Sequence, residues 1–225
     1  MEYSYNSSNL VNEEKSKFHY TKHTYNDMNQ LVKSDFYWDI SMASSDLSVI
    51  EAAMNRKEWV NPDNTPKSIS HSLEYNGSGQ LVKKSYIRPS VNVVEFMEFQ
   101  YENDRIVRVT GYYNNSKSGY TDYNYDEKGN ITKQTNYITS STGIAELSTT
   151  TEYEYDNMQN PYQSFKRLTN PGVFTNPNNI TKETYTLNFD VDPSIEKVQI
   201  TENSYEYNDK GYPIKVNGET EYIYK

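Results

Sequence analysis

The stretch "YNYDEKGNITKQTNY", residues 123–137, is one copy of a phrase that recurs along the chain. Related copies read "TYNDMNQLVKSDFY" from residue 24, "EYNGSGQLVKKSY" from residue 74 and "EYNDKGYPIK" from residue 206. Each copy has an alternating aromatic and polar run, a short polar turn, and an aliphatic and basic run. Such repetition predicts units that bury an apolar face only against their neighbours.

The copies align on a tyrosine that we refer to as the anchor tyrosine. In several copies a second tyrosine lies two residues earlier, so both rings point to one face of a strand while the residue between them faces solvent. The anchor tyrosines are Tyr5, Tyr25, Tyr75, Tyr101, Tyr125, Tyr155 and Tyr207.

The turn of each copy ends in a residue that tolerates a left-handed backbone. Four residues after an anchor tyrosine come Asn29, Gly79, Gly129 and Gly211. Asparagine and glycine adopt positive φ more readily than other residues. A turn of this kind between two strand-like runs predicts a β-hairpin with a type I turn and a bulge.

The repeat predicts an all-β fold, an antiparallel meander of about 12 to 16 strands. A sheet of that width must curl, and we expect an open or closed barrel-like sheet. The 23 tyrosines are expected to supply much of its core, because a tyrosine ring buries a large apolar area. We expect one domain over residues 1–225, interrupted by insertions at 39–68 and 157–178.

The first insertion carries the best helix signal, "SSDLSVIEAAMNRKEW". Ser48 and Glu51 have the spacing of a capping box. Leu47, Ile50 and Met54 share one helical face. We expect a short helix near residues 46–57 whose apolar stripe closes one end of the sheet.

The second insertion replaces a turn. "NITK" at 130–133 recurs at 179–182, so residues 157–178 stand where the other copy has "EKG". Loops of this length are commonly functional or disordered. We expect either a packed lid over the sheet's end or a ligand-binding loop. In the second case Tyr162, Phe165 and Phe174 would offer apolar surface, and Lys166 and Arg167 would offer charge.

The phrases "YNYDEKGNITK", "YNDKGYPIK" and "YNGSGQLVKK" resemble the YD repeat of Rhs-type secreted proteins. The whole chain, including "NPNNITKETY" and the closing "ETEYIYK", is similar to uncharacterised secreted lipoproteins of Bacteroidetes with a porin-like fold. The resemblance implies export to the periplasm, the cell surface or the medium, and a lipid anchor. It supplies no catalytic residues.

Sequence motifs favour no catalytic, cofactor or metal site. His19 and His23 are four residues apart on a predicted strand, about 13 Å, which is too far for both to bind one ion. There is no nucleophile elbow, phosphate-binding loop or dinucleotide fingerprint. The net charge of −9 disfavours nucleic acid as a partner. No run of about 18 apolar residues predicts a membrane-spanning helix, and we expect a monomer.

Three functions remain open. The first is a non-catalytic secreted or cell-surface binding protein for a glycan or a protein. The second is a glycan-active hydrolase that uses paired carboxylates, with Trp38 and Trp59 as stacking platforms. The third is a structural spacer or shell domain.

Overall fold

The structure is a computed structural model, and it describes residues 2–39, 45–55, 60–89, 93–162, 171–173, 175–189 and 195–223. The described residues contain sixteen strands and one α-helix. They are β1 Glu2–Tyr5, β2 Val11–Lys15, β3 His19–Tyr25, β4 Leu31–Trp38, α1 Leu47–Asn55, β5 Lys67–Tyr75, β6 Leu81–Arg88, β7 Val93–Glu102, β8 Arg105–Tyr113, β9 Ser116–Tyr125, β10 Ile131–Thr139, β11 Ala145–Tyr155, β12 Ile180–Leu187, β13 Val198–Glu202, β14 Tyr205–Tyr207, β15 Pro213–Val216 and β16 Thr220–Glu221.

The strands pair in chain order. β1 to β13 form a 13-stranded sheet, and β14, β15 and β16 form a 3-stranded sheet. The predicted all-β meander with one short helix is therefore confirmed. The chain divides into two compact units: the first comprises Met1–Glu98 and Tyr112–Ser116, and the second comprises Phe99–Gly111 and Lys117–Lys225. That the whole chain is one domain stays a prediction.

The repeat turns have the predicted backbone. Gly129 has φ 96°, Gly211 has φ 77° and Asn29 has φ 61°, so the positive φ expected at these positions is confirmed. Asn9, four residues after Tyr5, also has a positive φ, 58°. In six of the copies the strand register shifts beside the anchor tyrosine, as at Thr24/Tyr25 and Glu74/Tyr75.

Glu102 follows Tyr101, but in the other copies an Asn or Asp directly after the anchor tyrosine closes the turn. Its side-chain oxygen accepts the backbone N–H of the residue four positions on, at 2.9 Å from Asn26 to Gln30 and at 2.8 Å from Asp126 to Asn130. The same oxygen of Asn26 also accepts the N–H of Met28 at 3.0 Å. These bonds satisfy backbone donors inside the turn, which is why Asn and Asp are favoured there.

Each of five tyrosine hydroxyls bonds one hairpin to the preceding one. The hydroxyl donates to a backbone carbonyl at or near the start of the second strand of the preceding hairpin. We refer to this contact as the anchor bond. The pairs are Tyr25 to Val11 at 2.7 Å, Tyr75 to Leu31 at 2.8 Å, Tyr125 to Ile106 at 2.7 Å, Tyr155 to Ile131 at 2.6 Å and Tyr205 to Ile180 at 3.0 Å. Burial raises the pKa of Tyr125 to about 12.

The interior is less rich in tyrosine than the composition suggests. Among the described residues, the tyrosines that are fully buried are Tyr20 and Tyr123, and the remaining buried apolar side chains are aliphatic or phenylalanine. Small polar residues such as Ser34 and Thr21 are buried beside them. Most other tyrosines are half-buried or exposed, and the anchor bonds place several of their hydroxyls on backbone carbonyls.

Helix α1 lies close to its predicted position, but its details differ. Asp46, not Ser48, caps it: the carboxylate accepts the N–H of Ser48 at 2.9 Å. Leu47 is 78% exposed and Met54 is 57% exposed, so the expected closure of the sheet by this apolar stripe is wrong. No helix within the described ranges has the length and apolar content needed to cross a membrane.

The long loop is inserted inside a turn whose closing bonds persist. Asp156 N–H donates to the carbonyl of Asn179 at 3.1 Å, and the Asp156 carboxylate accepts the N–H of Asn179 at 3.1 Å. Asp126 and Asn130 make the same two contacts in the short turn. Asn179 therefore makes, across the inserted loop, the contacts that Asn130 makes in the short turn.

Buried amides hold the described part of the loop on the neighbouring turn. Asn176 is 1% exposed, and its Oδ1 accepts the N–H of Ile131 at 3.1 Å. Asn130 and Asn178 exchange two hydrogen bonds, at 2.9 and 3.0 Å. Asn160 Nδ2 donates to the carbonyl of Asn176 at 2.8 Å. This part of the loop is a packed segment of unit 2.

His71 lies in an aromatic row on one face of unit 1. Its ring centroid is 4.6 Å from that of Phe36 and 4.6 Å from that of Tyr86. Burial, with smaller contributions from Lys84 and Arg88, lowers the pKa of His71 to about 4. The neutral imidazole is therefore the form that the folded chain accommodates.

Removing one anchor hydroxyl should destabilise the fold. We expect Tyr155→Phe to lower the free energy of unfolding by about 1 kcal/mol, because the Ile131 carbonyl loses a partner within the packed unit. The matched control is Tyr113→Phe, since Tyr113 is 50% exposed. Chemical denaturation measures both. Equal stability of the two variants would contradict a stabilising role for the anchor bond.

Removing a buried loop amide should also destabilise unit 2. We expect Asn176→Ala to lower the free energy of unfolding by about 1 to 3 kcal/mol, because the Ile131 N–H is left unpaired in a buried site. Asn157→Ala is the control, since Asn157 is exposed and accepts only a surface bond from Lys128. If Asn176→Ala is as stable as Asn157→Ala, the loop does not pack as described.

The neutral state of His71 predicts a specific pH dependence. Its folded pKa of about 4 lies below the ordinary value of about 6.5, so protonation favours the unfolded chain. Stability is expected to decrease as the pH falls from about 6.5 to about 4. Denaturation curves across this range should show a smaller decrease for His71→Phe than for the natural chain. Parallel decreases would contradict the assignment.

Candidate functional site

A pocket of about 120 Å³ lies beside the long loop in unit 2. Strands β12 and β13, the start of β14, the segment after β16 and both ends of the loop contribute to it. The described residues that line it are Asn160, Tyr162, Val173, Asn179, Ile180, Glu183, Thr201, Asn203, Tyr205 and Tyr222. The site therefore combines three tyrosines, three asparagines and one carboxylate.

Two of the tyrosines form a corner. The ring centroids of Tyr162 and Tyr222 are 6.1 Å apart and the ring planes meet at 71°. The Tyr162 hydroxyl donates to the Tyr222 hydroxyl oxygen, 3.5 Å away. Because the hydroxyl oxygens are closer together than the centroids, the rings converge at their polar ends. They present two aromatic walls rather than a parallel stack.

The third tyrosine, Tyr205, is fixed by its anchor bond to the Ile180 carbonyl. Burial raises its pKa, and the nearby negative charge of Asp156 raises it further. Tyr205 therefore stays neutral over the physiological range. Its ring forms part of the pocket wall, and its hydroxyl already has a protein partner.

The three amides of the pocket are engaged in holding the fold. Asn160 Nδ2 donates to the carbonyls of Val173 and Asn176. Asn203 Nδ2 donates to the carbonyl of Ile180 at 3.1 Å. Asn179 Nδ2 donates to the Asp156 carboxylate at 3.1 Å. Their amide N–H groups therefore have protein partners before any ligand arrives.

Glu183 differs from the amides. It lies on β12, directly across from Tyr153 of β11 and Thr201 of β13. In the part of the chain that the structure describes, Glu183 forms no ion pair, although the neighbouring Lys182 pairs with Glu154 at 3.3 Å. Burial, followed by the charge of Glu183, raises the pKa of Tyr153. Glu183 is thus a half-buried carboxylate that faces the pocket.

Of the five loop residues that the sequence predicts for ligand binding, Tyr162 lies in the pocket wall. Phe165, Lys166, Arg167 and Phe174 lie outside the described residues. Their roles stay predictions. Trp38 belongs to unit 1 and is 64% exposed, whereas Trp59 is outside the described ranges.

Sequence reasoning missed Glu183, Tyr205 and Tyr222 as pocket residues. Tyr205 and Tyr222 had a signal, since each begins a Tyr-x-Tyr pair, but that pattern marked them only as strand residues. Glu183 in "ITKETY" had none. Only the pairing of β12 with its neighbours places its side chain beside the loop.

Other polar groups have structural partners. His19 Nδ1 is 2.9 Å from Ser16 Oγ, and His23 Nδ1 is 2.8 Å from Ser34 Oγ. Within the described ranges, no three His, Cys, Asp or Glu side chains are grouped closely enough to hold a metal ion. Glu152 forms an ion pair with Lys133 on an exposed strand surface.

No protein-family model and no curated protein matches this sequence. Solved structures do match. A porin-like protein from Bacteroides vulgatus has a TM-score of 0.50 at 11% identity, covering 96% of this chain and 86% of that chain. A porin-like protein from Bacteroides uniformis has a TM-score of 0.39 at 11% identity, covering 94% and 91%. The TcdB2-TccC3-Cdc42 structure has a TM-score of 0.40 at 15% identity, and the match spans 92% of this chain but only 10% of that one.

These similarities bear on the fold alone. The Bacteroides vulgatus match covers nearly the whole chain, so this chain has the fold of a porin-like Bacteroides protein. Fold similarity at this identity carries no activity, because one fold serves many functions.

Proposed function

We propose that this chain is a non-catalytic binding protein whose ligand, a glycan or a protein, contacts the tyrosine-lined pocket of unit 2. One observation carries the proposal: the long loop interrupts a regular hairpin repeat, and a pocket with three tyrosines lies against it. Loops on a rigid scaffold are the usual place for binding residues. Tyrosine offers wide contact area with little loss of side-chain freedom.

The proposal includes the loop residues that lie outside the described ranges. Phe165 and Phe174 would extend the apolar surface, and Lys166 and Arg167 would contact acidic groups of the ligand. The repeat phrases support a YD-type hairpin architecture, and the likeness to secreted lipoproteins supports export to the cell surface or the medium. We propose that the chain acts there as a monomer.

A hydrolase is the less favoured function. Glycoside hydrolysis commonly uses two carboxylates about 5 to 9.5 Å apart across a cleft. Among the described residues of the pocket lining, Glu183 is the one carboxylate. Glu152 and Glu154 lie on the sheet surface in ion pairs with Lys133 and Lys182.

The test is a binding screen of the purified chain on a glycan array and on an array of cell-surface proteins. We expect a ligand whose affinity falls at least about tenfold in Tyr162→Ala, which corresponds to 1.4 kcal/mol. Tyr5→Ala is the control, because Tyr5 is 56% exposed in unit 1. Circular dichroism checks that both variants keep the β-fold.

Three results would contradict the proposal. Release of reducing sugar from a bound glycan would identify a hydrolase. Binding that survives Tyr162→Ala and Tyr222→Ala would place the ligand elsewhere. The absence of any ligand on either array would favour the structural spacer.

A further inference from the structure

The pocket of unit 2 contains a carboxylate that the fold itself does not use. Glu183 has no ion-pair or hydrogen-bond partner within the described chain, whereas the three amides beside it are bonded to protein groups. A half-buried carboxylate without a partner favours a cation at hydrogen-bond distance. The charged group that the described lining offers a ligand is therefore a carboxylate.

The aromatic walls favour the same kind of ligand. Tyr162 and Tyr222 meet at 71°, and Tyr205 supplies a third ring. The faces of aromatic rings attract ammonium groups, and clusters of such rings are used to recognise quaternary ammonium compounds. Three tyrosines with one carboxylate make a site in which both the rings and the charge attract a cation.

The size of the pocket limits what can enter. Its volume is about 120 Å³. Pockets that enclose an entire small ligand are commonly about 300 to 1,000 Å³. The pocket therefore encloses one compact group of a larger ligand rather than the whole ligand.

The charges among the described residues around the pocket do not oppose a cation. No lysine or arginine is found among the described residues that line the pocket. Lys182, the adjacent residue on β12, lies on the opposite face of the strand and pairs with Glu154. Asp156 lies close enough to Tyr205 to raise its pKa, so it adds to the negative potential.

We propose that this pocket binds a compact ammonium group, primary or methylated, that projects from the ligand. The inference rests on the proposed function, since it specifies which part of the ligand enters the pocket. A lysine side chain, a choline headgroup and an amino sugar all carry this chemistry.

The experiment titrates the whole chain, followed by NMR, with four small probes. n-Butylammonium represents a lysine side chain, choline represents a quaternary headgroup, and glucosamine represents an amino sugar. The neutral isostere of choline, 3,3-dimethylbutanol, reports on shape without charge. We expect at least one of the cations to bind at least about tenfold more tightly than the neutral isostere, and the preferred cation identifies the source.

Two variants locate the effect. Glu183→Gln should reduce the affinity for the preferred cation at least about tenfold, a loss that corresponds to one ion pair in a half-buried site. Glu154→Gln is the matched control on the opposite face of the sheet, where the carboxylate is paired with Lys182, and it should leave the affinity unchanged. Unfolding curves of both variants check that the fold is retained.

The outcomes separate this inference from the proposed function. If none of the three cations binds more tightly than the neutral isostere, or if the preferred cation binds Glu183→Gln as tightly as the natural chain, the ammonium site is overturned. An array ligand that depends on Tyr162 but not on Glu183 would keep the binding function and overturn the ammonium site alone. Cation binding that Glu183→Gln abolishes supports the inference even when the arrays show no ligand.

Discussion

The hydrogen bond from a tyrosine hydroxyl to a carbonyl of the preceding hairpin is the interaction on which the rest of the architecture depends. The acceptor is at or near the start of a strand, beside a register shift where ladder pairing is irregular. Polar backbone groups that are shielded from water need a partner. A tyrosine supplies that partner and buries its ring in the same step, which a phenylalanine cannot do. Five such bonds each join a hairpin to the one before it, in agreement with a sheet whose strands follow the order of the chain.

The turns explain how so regular a repeat accommodates a long insertion. A turn is closed by hydrogen bonds between an Asn or Asp on one strand end and a residue on the next strand end. Asp156 and Asn179 make these bonds across the inserted loop. Lengthening a surface loop adds little to the entropic cost of closing it. The buried amides of Asn160 and Asn176 then order the described part of the loop. The insertion therefore leaves the pairing of β11 with β12 intact.

The described lining of the pocket contains three amides that hold the fold and one carboxylate that does not. The asparagines near the loop are buried and bonded to backbone or carboxylate groups, as a low-dielectric interior requires. Glu183 lies among them without such a partner in the described chain. This contrast, rather than the fold, is what points to a ligand, because the fold shared with a porin-like Bacteroides protein is compatible with many activities.

The sequence by itself determined the features that depend on a few neighbouring residues. Alternating side chains specified the strands, positive φ at Gly129 and Gly211 followed from the turn pattern, and the repeated "NITK" located the insertion. Tertiary structure decided the rest. A helical pattern shows which residues share a face but not whether another element covers that face. The apolar stripe of α1 was therefore predictable, but its exposure at Leu47 and Met54 was not. The pocket likewise joins Tyr162, Glu183 and Tyr222, which are distant in the chain. Only the register of β12 against its neighbours and the path of the loop bring these three side chains together.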